Sequence, residues 1–286
     1  MVGVLVVAVY VSRFLPPALQ EKRQEATVVS PPQKPARRAQ ADGKPNASTG
    51  RQTAEAVQEP QSVPLATGPS GVLSASASLA VTSKEVDAGS PSAKLVALTF
   101  DAGSSAEPVP QILRALAQRG IHCTFFLTGQ WIERYPDAAR QIAESGHELG
   151  NHSWSHPAFT SLTDEQMREQ LRRTEEIALR ICGRSTKPLF RPPFGARDER
   201  VRSVAADEGY LTIYWTIDSW DSVKKDITPQ MITDRVMRLM RPGAIVLMHC
   251  GSEATAQALP QILNALDAQG YRVVTVSELL RFGNGR

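Results

Sequence analysis

The sequence predicts an α/β domain: a small, irregular (β/α) barrel of about seven strand–helix units, preceded by a disordered tether. Three observations lead there. From residue 94 onward, short apolar runs alternate with stretches of helical periodicity, the pattern of parallel strands joined by crossover helices. All but two of the aromatic residues lie from Phe100 onward, so the core-forming material sits in the last two thirds of the chain. Unusual polar residues then recur at the ends of the predicted strands, where parallel α/β folds assemble their sites. An open doubly wound sheet is the alternative architecture.

Each element has a local reason. Leu95–Phe100 reads as a buried strand, and Val109, Ile112, Leu113 and Leu116 follow the i, i+3, i+4, i+7 helical spacing. His122–Leu127 is the next strand, and Trp131–Ser145 reads as one helix stopped by Gly146. A short strand at His147–Gly150 precedes a helix opened at Thr163 and Gln166 by a capping box and running to Ile181. Further strands are expected at Leu189–Arg191, Leu211–Ile217, Ala244–His249 and Tyr271–Val276, with a last helix from Ser277.

Residues 1–15 are apolar apart from Ser12 and Arg13. They fall short of the ~20 residues of a straight membrane span, and they lack a basic leader and a clear cleavage site. A signal-anchor starting upstream and a fragmentary signal peptide both fit. Residues 16–92, rich in Pro, Ala, Ser, Gln and Thr, cannot bury enough apolar surface to offset their ordering entropy and read as a linker. Residues 93–286 form the catalytic-sized domain. This organisation implies an extracytoplasmic protein, membrane-anchored through the N-terminus or secreted. A formal net charge of +3 without a long basic run argues against nucleic acid, and no protein partner is indicated. Cys123, Cys182 and Cys250 lack CxxC spacing and read as buried small hydrophobes.

The chemistry lies in a constellation. His152-Ser-Trp-Ser-His156 puts two of the five histidines four residues apart, and a helical turn would aim both at one metal ion. Taken alone, the pair is also compatible with chance surface composition. Asp101, Asn151-His152, Arg191, Asp218 and His249 each end a predicted strand, so the fold brings them to one face. A metal on His152 and His156 would polarise a carbonyl, Asp101 could take a proton from water, and His249 could give one to a leaving group. Arg191 could orient the base. This is a set of groups for hydrolysing an amide or ester.

These residues resemble the five motifs of the polysaccharide deacetylases of carbohydrate esterase family four, over about residues 94–280. Thr99-Phe-Asp-Ala-Gly103 is similar to the first and His152–His156 to the second. Arg191-Pro-Pro-Phe194 is similar to the third, Asp218-Ser-Trp-Asp221 to the fourth and Leu247-Met-His249 to the fifth. The resemblance implies Asp101 as general base, His249 as general acid, Arg191 as the group holding Asp101, and His152 and His156 as ligands of one divalent metal, zinc first, with cobalt or manganese next. It implies that Asp221, or second Asp218, tunes His249, and that a backbone N–H near Phe194 stabilises the oxyanion. Leu247 would contact substrate, while Phe125 and Phe126 are core.

Two positions depart from the family pattern. Ala102 stands where the Asp-His-His metal triad has its aspartate, with Glu107 a conceivable substitute, and residue 102 is expected to face the imidazoles. Ser222 stands where the fourth motif ends in Trp, which leaves Trp220 to line the groove. The resemblance thus implies a metal-dependent enzyme that removes acetyl from an N-acetylated cell-surface polymer, peptidoglycan or a chitin-like glycan. The rivals are a catalytically impaired, glycan-binding member and a hydrolase of small cyclic amides on the same scaffold.

Overall fold

The computed structural model describes residues 81–283. Residues 1–15 and the linker up to residue 80 lie outside the described part. The strands are β1 (Glu85–Val86), β2 (Leu95–Ala102), β3 (Thr124–Leu127), β4 (Glu148–Asn151), β5 (Leu189–Phe190), β6 (Leu211–Ile213), β7 (Ile217–Asp218), β8 (Ile245–His249) and β9 (Arg272–Val273). The helices are α1 (Val109–Ala117), α2 (Gly129–Arg134), α3 (Pro136–Glu144), α4 (Asp164–Cys182), α5 (Glu199–Asp207), α6 (Pro229–Leu239), α7 (Glu253–Ala268) and α8 (Val276–Gly283).

All strand pairings are parallel, in the order β1-β6-β5-β4-β3-β2-β8-β7, with β9 also on β2. The sheet is curled rather than open. On its inner face Ala97, Phe126, Leu189, Ile213 and Ile245 form one cluster although they come from five strands, with Val276 and Leu279 of α8 packed in as well. Distant strands of an open sheet could not meet in this way. The outer face carries Val96, Leu98 and Phe100 against Ile112 and Leu116 of α1 and Leu259 and Ile262 of α7. The architecture is the expected (β/α) barrel, left without a β1–β7 pairing.

Four expectations need correction. The helix over Trp131–Ser145 is two helices, because Pro136 has no N–H to continue the ladder and Tyr135 leaves helical geometry at φ −128°, ψ 58°. The strand over Leu211–Ile217 divides into β6 and β7. Between them Tyr214 N–H donates to Val86 O at 2.8 Å or less (2.7 Å), and Thr216 N–H donates to Ile245 O at 2.8 Å. That crossing carries the chain from one end of the sheet to the other. The strand over Tyr271–Val276 is only β9, since helix α8 starts at Val276. Finally, the linker does not extend to residue 92: β1 pairs with β6, and Gly89 N–H donates to Gly243 O at 2.8 Å. Paired backbone donors hold a segment that composition alone reads as unstructured.

Candidate active site

Asp101 and His249 sit opposite each other in the register of β2 and β8, at the C-terminal ends of adjacent strands. They open into a cleft of about 740 Å³ that is also lined by His152, His156, Phe194, Asp218, Asp221 and Leu247. Arg191 does not line it. The arginine lies behind Asp101, fully buried, and donates from Nη1 to Asp101 Oδ1 at 2.7 Å and to Thr99 Oγ1 at 2.8 Å. Its Nη2 donates to Tyr214 O at 3.2 Å, its plane covers the Phe126 ring at 4.1 Å, and its Nε has no partner. A buried cation held this way fixes one carboxylate oxygen and leaves the other, Oδ2, facing the cleft.

His249 is held by Asp221. Oδ1 of Asp221 accepts from His249 Nδ1 at 2.7 Å, and Oδ2 accepts from the His249 backbone N–H at 2.7 Å and from Thr255 Oγ1 at 2.6 Å. Burial by itself would lower the His249 pKa. The hydrogen bond and charge of Asp221, with the charges of Asp101 and Asp218, outweigh it and leave the imidazole pKa raised. Asp221 moves the other way: burial opposes its charge, but His249 and Thr255 bring its pKa below the ordinary carboxylate value. Asp218 does not touch His249. Its Oδ1 accepts from Trp220 N–H at 2.8 Å, and its carbonyl accepts from Arg235 Nε at 2.7 Å.

The two imidazoles are not on a helical turn. They flank an irregular loop in which Ser153 (φ 70°) and His156 (φ 62°) are left-handed, a conformation costly for such residues unless the surroundings hold it. The surroundings do so. Asn151 Oδ1 accepts from Ser153 N–H, Ser153 Oγ accepts from His156 N–H, and Gln170 Oε1 on α4 accepts from the Trp154 and Ser155 N–H groups, all at 2.9–3.0 Å. The ring centroids lie 4.9 Å apart.

His152 Nδ1–H donates to the Arg191 carbonyl at 2.8 Å, which leaves the Nε2 lone pair in the cleft, 3.6 Å from Asp101 Oδ2. Burial lowers the His152 pKa to about 4 and lowers that of His156, so both rings are neutral near pH 7, the state a metal ligand requires. The pair fits a divalent cation as two nitrogen donors. Among the described residues, no cluster of three His, Cys, Asp or Glu side chains is placed to hold a metal. Ala102 is 1% exposed and belongs to the apolar layer between sheet and helices, because successive strand residues point to opposite faces. It lines the cleft no more than Glu107 does; Glu107 is exposed elsewhere.

Trp220 also departs from expectation. Its ring is covered by the Arg235 guanidinium at 3.3 Å and stays off the cleft wall, which is made instead by Ser222, Val223 and Trp215. Sequence reasoning missed Trp215, Thr255 and Gln170. Thr255 carries a weak signal, a Ser252-x-x-Thr255 helix start, whereas Gln170 carries none.

A curled parallel sheet with a buried-partner Asp101–His249 pair and a two-imidazole loop at its C-terminal end is the arrangement of the carbohydrate esterase class of hydrolases. Residues 88–213 match the polysaccharide deacetylase family model. The chain is 33% identical over 195 residues to a peptidoglycan-N-acetylglucosamine deacetylase of Bacillus cereus, covering 67% of this chain and 70% of that one. A family 4 carbohydrate esterase structure, Bacillus subtilis PdaA, superposes with a TM-score of 0.66 at 30% identity, over 69% of this chain and 85% of that one. The structure of a Bacillus anthracis family pseudoenzyme does so equally, at 0.66 and 34%, over 69% of each. The chain belongs to the polysaccharide deacetylase family.

Proposed function

We propose that this protein is a metal-dependent deacetylase that hydrolyses the acetamido group of an N-acetylated cell-wall glycan, with peptidoglycan as the substrate. The observation that carries the reading is the pairing of Asp101 with His249 across one cleft, each locked from behind by its own buried partner, Arg191 and Asp221. That arrangement separates two protonation roles, as acid–base hydrolysis requires. A divalent metal on His152 and His156 would polarise the acetyl carbonyl. Asp101 takes a proton from water as the water oxygen bonds to the carbonyl carbon. His249, protonated at Nε2 and held through Nδ1 by Asp221, gives a proton to the nitrogen as the C–N bond breaks. The products are acetate and a free amine. The backbone N–H of Phe194 supplies the oxyanion contact, and Leu247 and Trp215 shape the acetyl side of the cleft.

The relatives named as peptidoglycan deacetylases support this substrate and an extracytoplasmic site of action. Anchoring through residues 1–15 is part of the proposal; no helix among the described residues is long and apolar enough to cross a membrane. One observation favours a second reading. The missing third ligand at Ala102, together with a pseudoenzyme among the structural relatives, fits a glycan-binding member without turnover. Acetate release from peptidoglycan separates the two. The deacetylase reading expects release by the metal-loaded protein and a roughly 10²–10⁴-fold fall in Asp101→Asn and in His249→Ala. Glycan binding without release establishes the second reading.

A further inference from the structure

We infer that Glu85, in the N-terminal strand ahead of the segment that matches the family, acts with Arg197 as a strap that sets the Phe194 turn of the active site. The inference rests on the deacetylase reading for its consequence and on geometry for its mechanism.

The turn is unusual in its backbone. Phe194 (φ 58°) and Gly195 (φ 65°) are consecutive left-handed residues at the end of the Arg191-Pro-Pro segment. A side chain on Gly195 would have its Cβ 2.7 Å from the Tyr214 ring and 2.9 Å from the Trp215 ring. The turn is therefore seated directly on those two rings, which stack at 3.8 Å with an interplanar angle of 21°. Phe194 itself is 73% exposed, and its ring meets His156 edge-on at 4.5 Å. The turn closes on itself through Gly195 N–H to Pro192 O and Ala196 N–H to Pro193 O, both at 3.0 Å, and a further group must anchor the Gly195 carbonyl over the two rings.

Arg197 does. Its Nη1 donates to the Gly195 carbonyl at 3.0 Å, and its guanidinium lies 3.3 Å from the centre of the Tyr214 ring. One cation thus grips both the turn and the ring stack beneath it. The rest of the guanidinium is taken by Glu85: Nη2 donates to Oε1 at 2.9 Å, and Nε donates to Oε2. This bidentate fork fixes the plane of the guanidinium as a lone lysine charge could not. Glu85 is in turn fixed by β1, whose register on β6 places it opposite Thr212, two residues before Tyr214. The matched family segment begins at residue 88, so Glu85 lies before it. The strap contacts neither substrate nor metal, and Glu85 and Arg197 are positioning residues.

A purely structural ion pair on the edge of a sheet would affect stability alone. A pair that sets the turn affects the rate step, because misplacing an oxyanion donor by about 1 Å costs up to ~10²-fold. The test uses Glu85→Ala, Arg197→Ala, Arg197→Lys and the Glu85→Ala/Arg197→Ala double variant in the full chain. Acetate release from peptidoglycan and amide hydrogen exchange over residues 194–197 are measured for each.

The strap predicts a roughly tenfold or greater fall in kcat with KM changed less than about twofold. It also predicts faster exchange in the turn, no rescue by lysine, and a double variant no worse than the worse single one. Unchanged exchange in the turn overturns the strap, as does additive loss in the double variant or a fall in melting temperature with kcat intact. If the parent releases no acetate at all, the deacetylase reading fails separately. Exchange across residues 194–197 then decides the strap by itself, supporting it if the turn loosens in both single variants and overturning it if it does not.

Discussion

Replacing Arg191 by Met removes the buried cation beneath the Asp101 carboxylate while keeping a side chain of similar length over the Phe126 ring. Asp101 is 4% exposed and Arg191 fully buried, so the carboxylate that remains has little solvent around Oδ1 to offset its charge. Its Oδ1 loses a 2.7 Å charge-assisted bond, and the Tyr214 carbonyl loses its donor. Breaking a buried pair from one side costs about 3–5 kcal/mol, because the surviving charge is left uncompensated. Set against a net stability of about 5–15 kcal/mol, that is a large fraction. The double variant Asp101→Asn/Arg191→Met removes both charges and is expected to recover at least about half of the loss, which makes the coupling measurable even if the single variant is marginal. Equilibrium urea unfolding, followed by tryptophan fluorescence in the presence of a chelator, reads all four corners of the cycle. A cost below about 1 kcal/mol for Arg191→Met, or a double variant that loses the sum of the singles, would refute the reasoning that Arg191 is there to hold a buried carboxylate.

Three further outcomes are expected. With His249 as the proton donor of the proposed reaction, activity is expected below its folded pKa and is expected to decline as pH rises through it. Because Asp221 is the main group raising that pKa against burial, Asp221→Asn should move the alkaline limb of the kcat/KM profile to lower pH, and an unmoved limb would sever Asp221 from the acid. Ala102→Asp should lower the melting temperature, as position 102 is 1% exposed in the apolar layer between sheet and helices, and should leave divalent-metal affinity unchanged in a titration of apo protein. Tighter binding would mean that a carboxylate there turns around the strand end to reach the imidazoles. Removing residues 1–80 should leave a cooperative melt, whereas removing 1–92 strips β1 from β6 and should lower the melting temperature; identical melts would show that β1 adds nothing to the fold.

The residues of the candidate site were legible in the sequence because each lies at the end of an apolar run. A strand's last residue must emerge where the crossover begins, and in a parallel sheet every such end is on the same side. Asp101, His152, Arg191 and His249 could therefore be gathered without coordinates, and the five motif-like segments pointed to the family. Local pattern failed where the decision was not local. Whether Asp218 or Asp221 reaches His249 depends on how the turn after β7 folds back: Asp218 is consumed by the Trp220 N–H, while Asp221 meets a residue 28 positions away. Arg191 looked like a residue of the cleft and proved to lie beneath it. Trp220 looked like a groove wall and is occupied by Arg235. Residues 85–92 carry no core-forming pattern; the sheet edge at β6 and the backbone at Gly243 recruit them through hydrogen bonds, which composition does not encode. Side-chain chemistry and period determined what this protein can do and roughly where; which carboxylate holds which ring, and what holds the turn beside them, was decided by long-range packing.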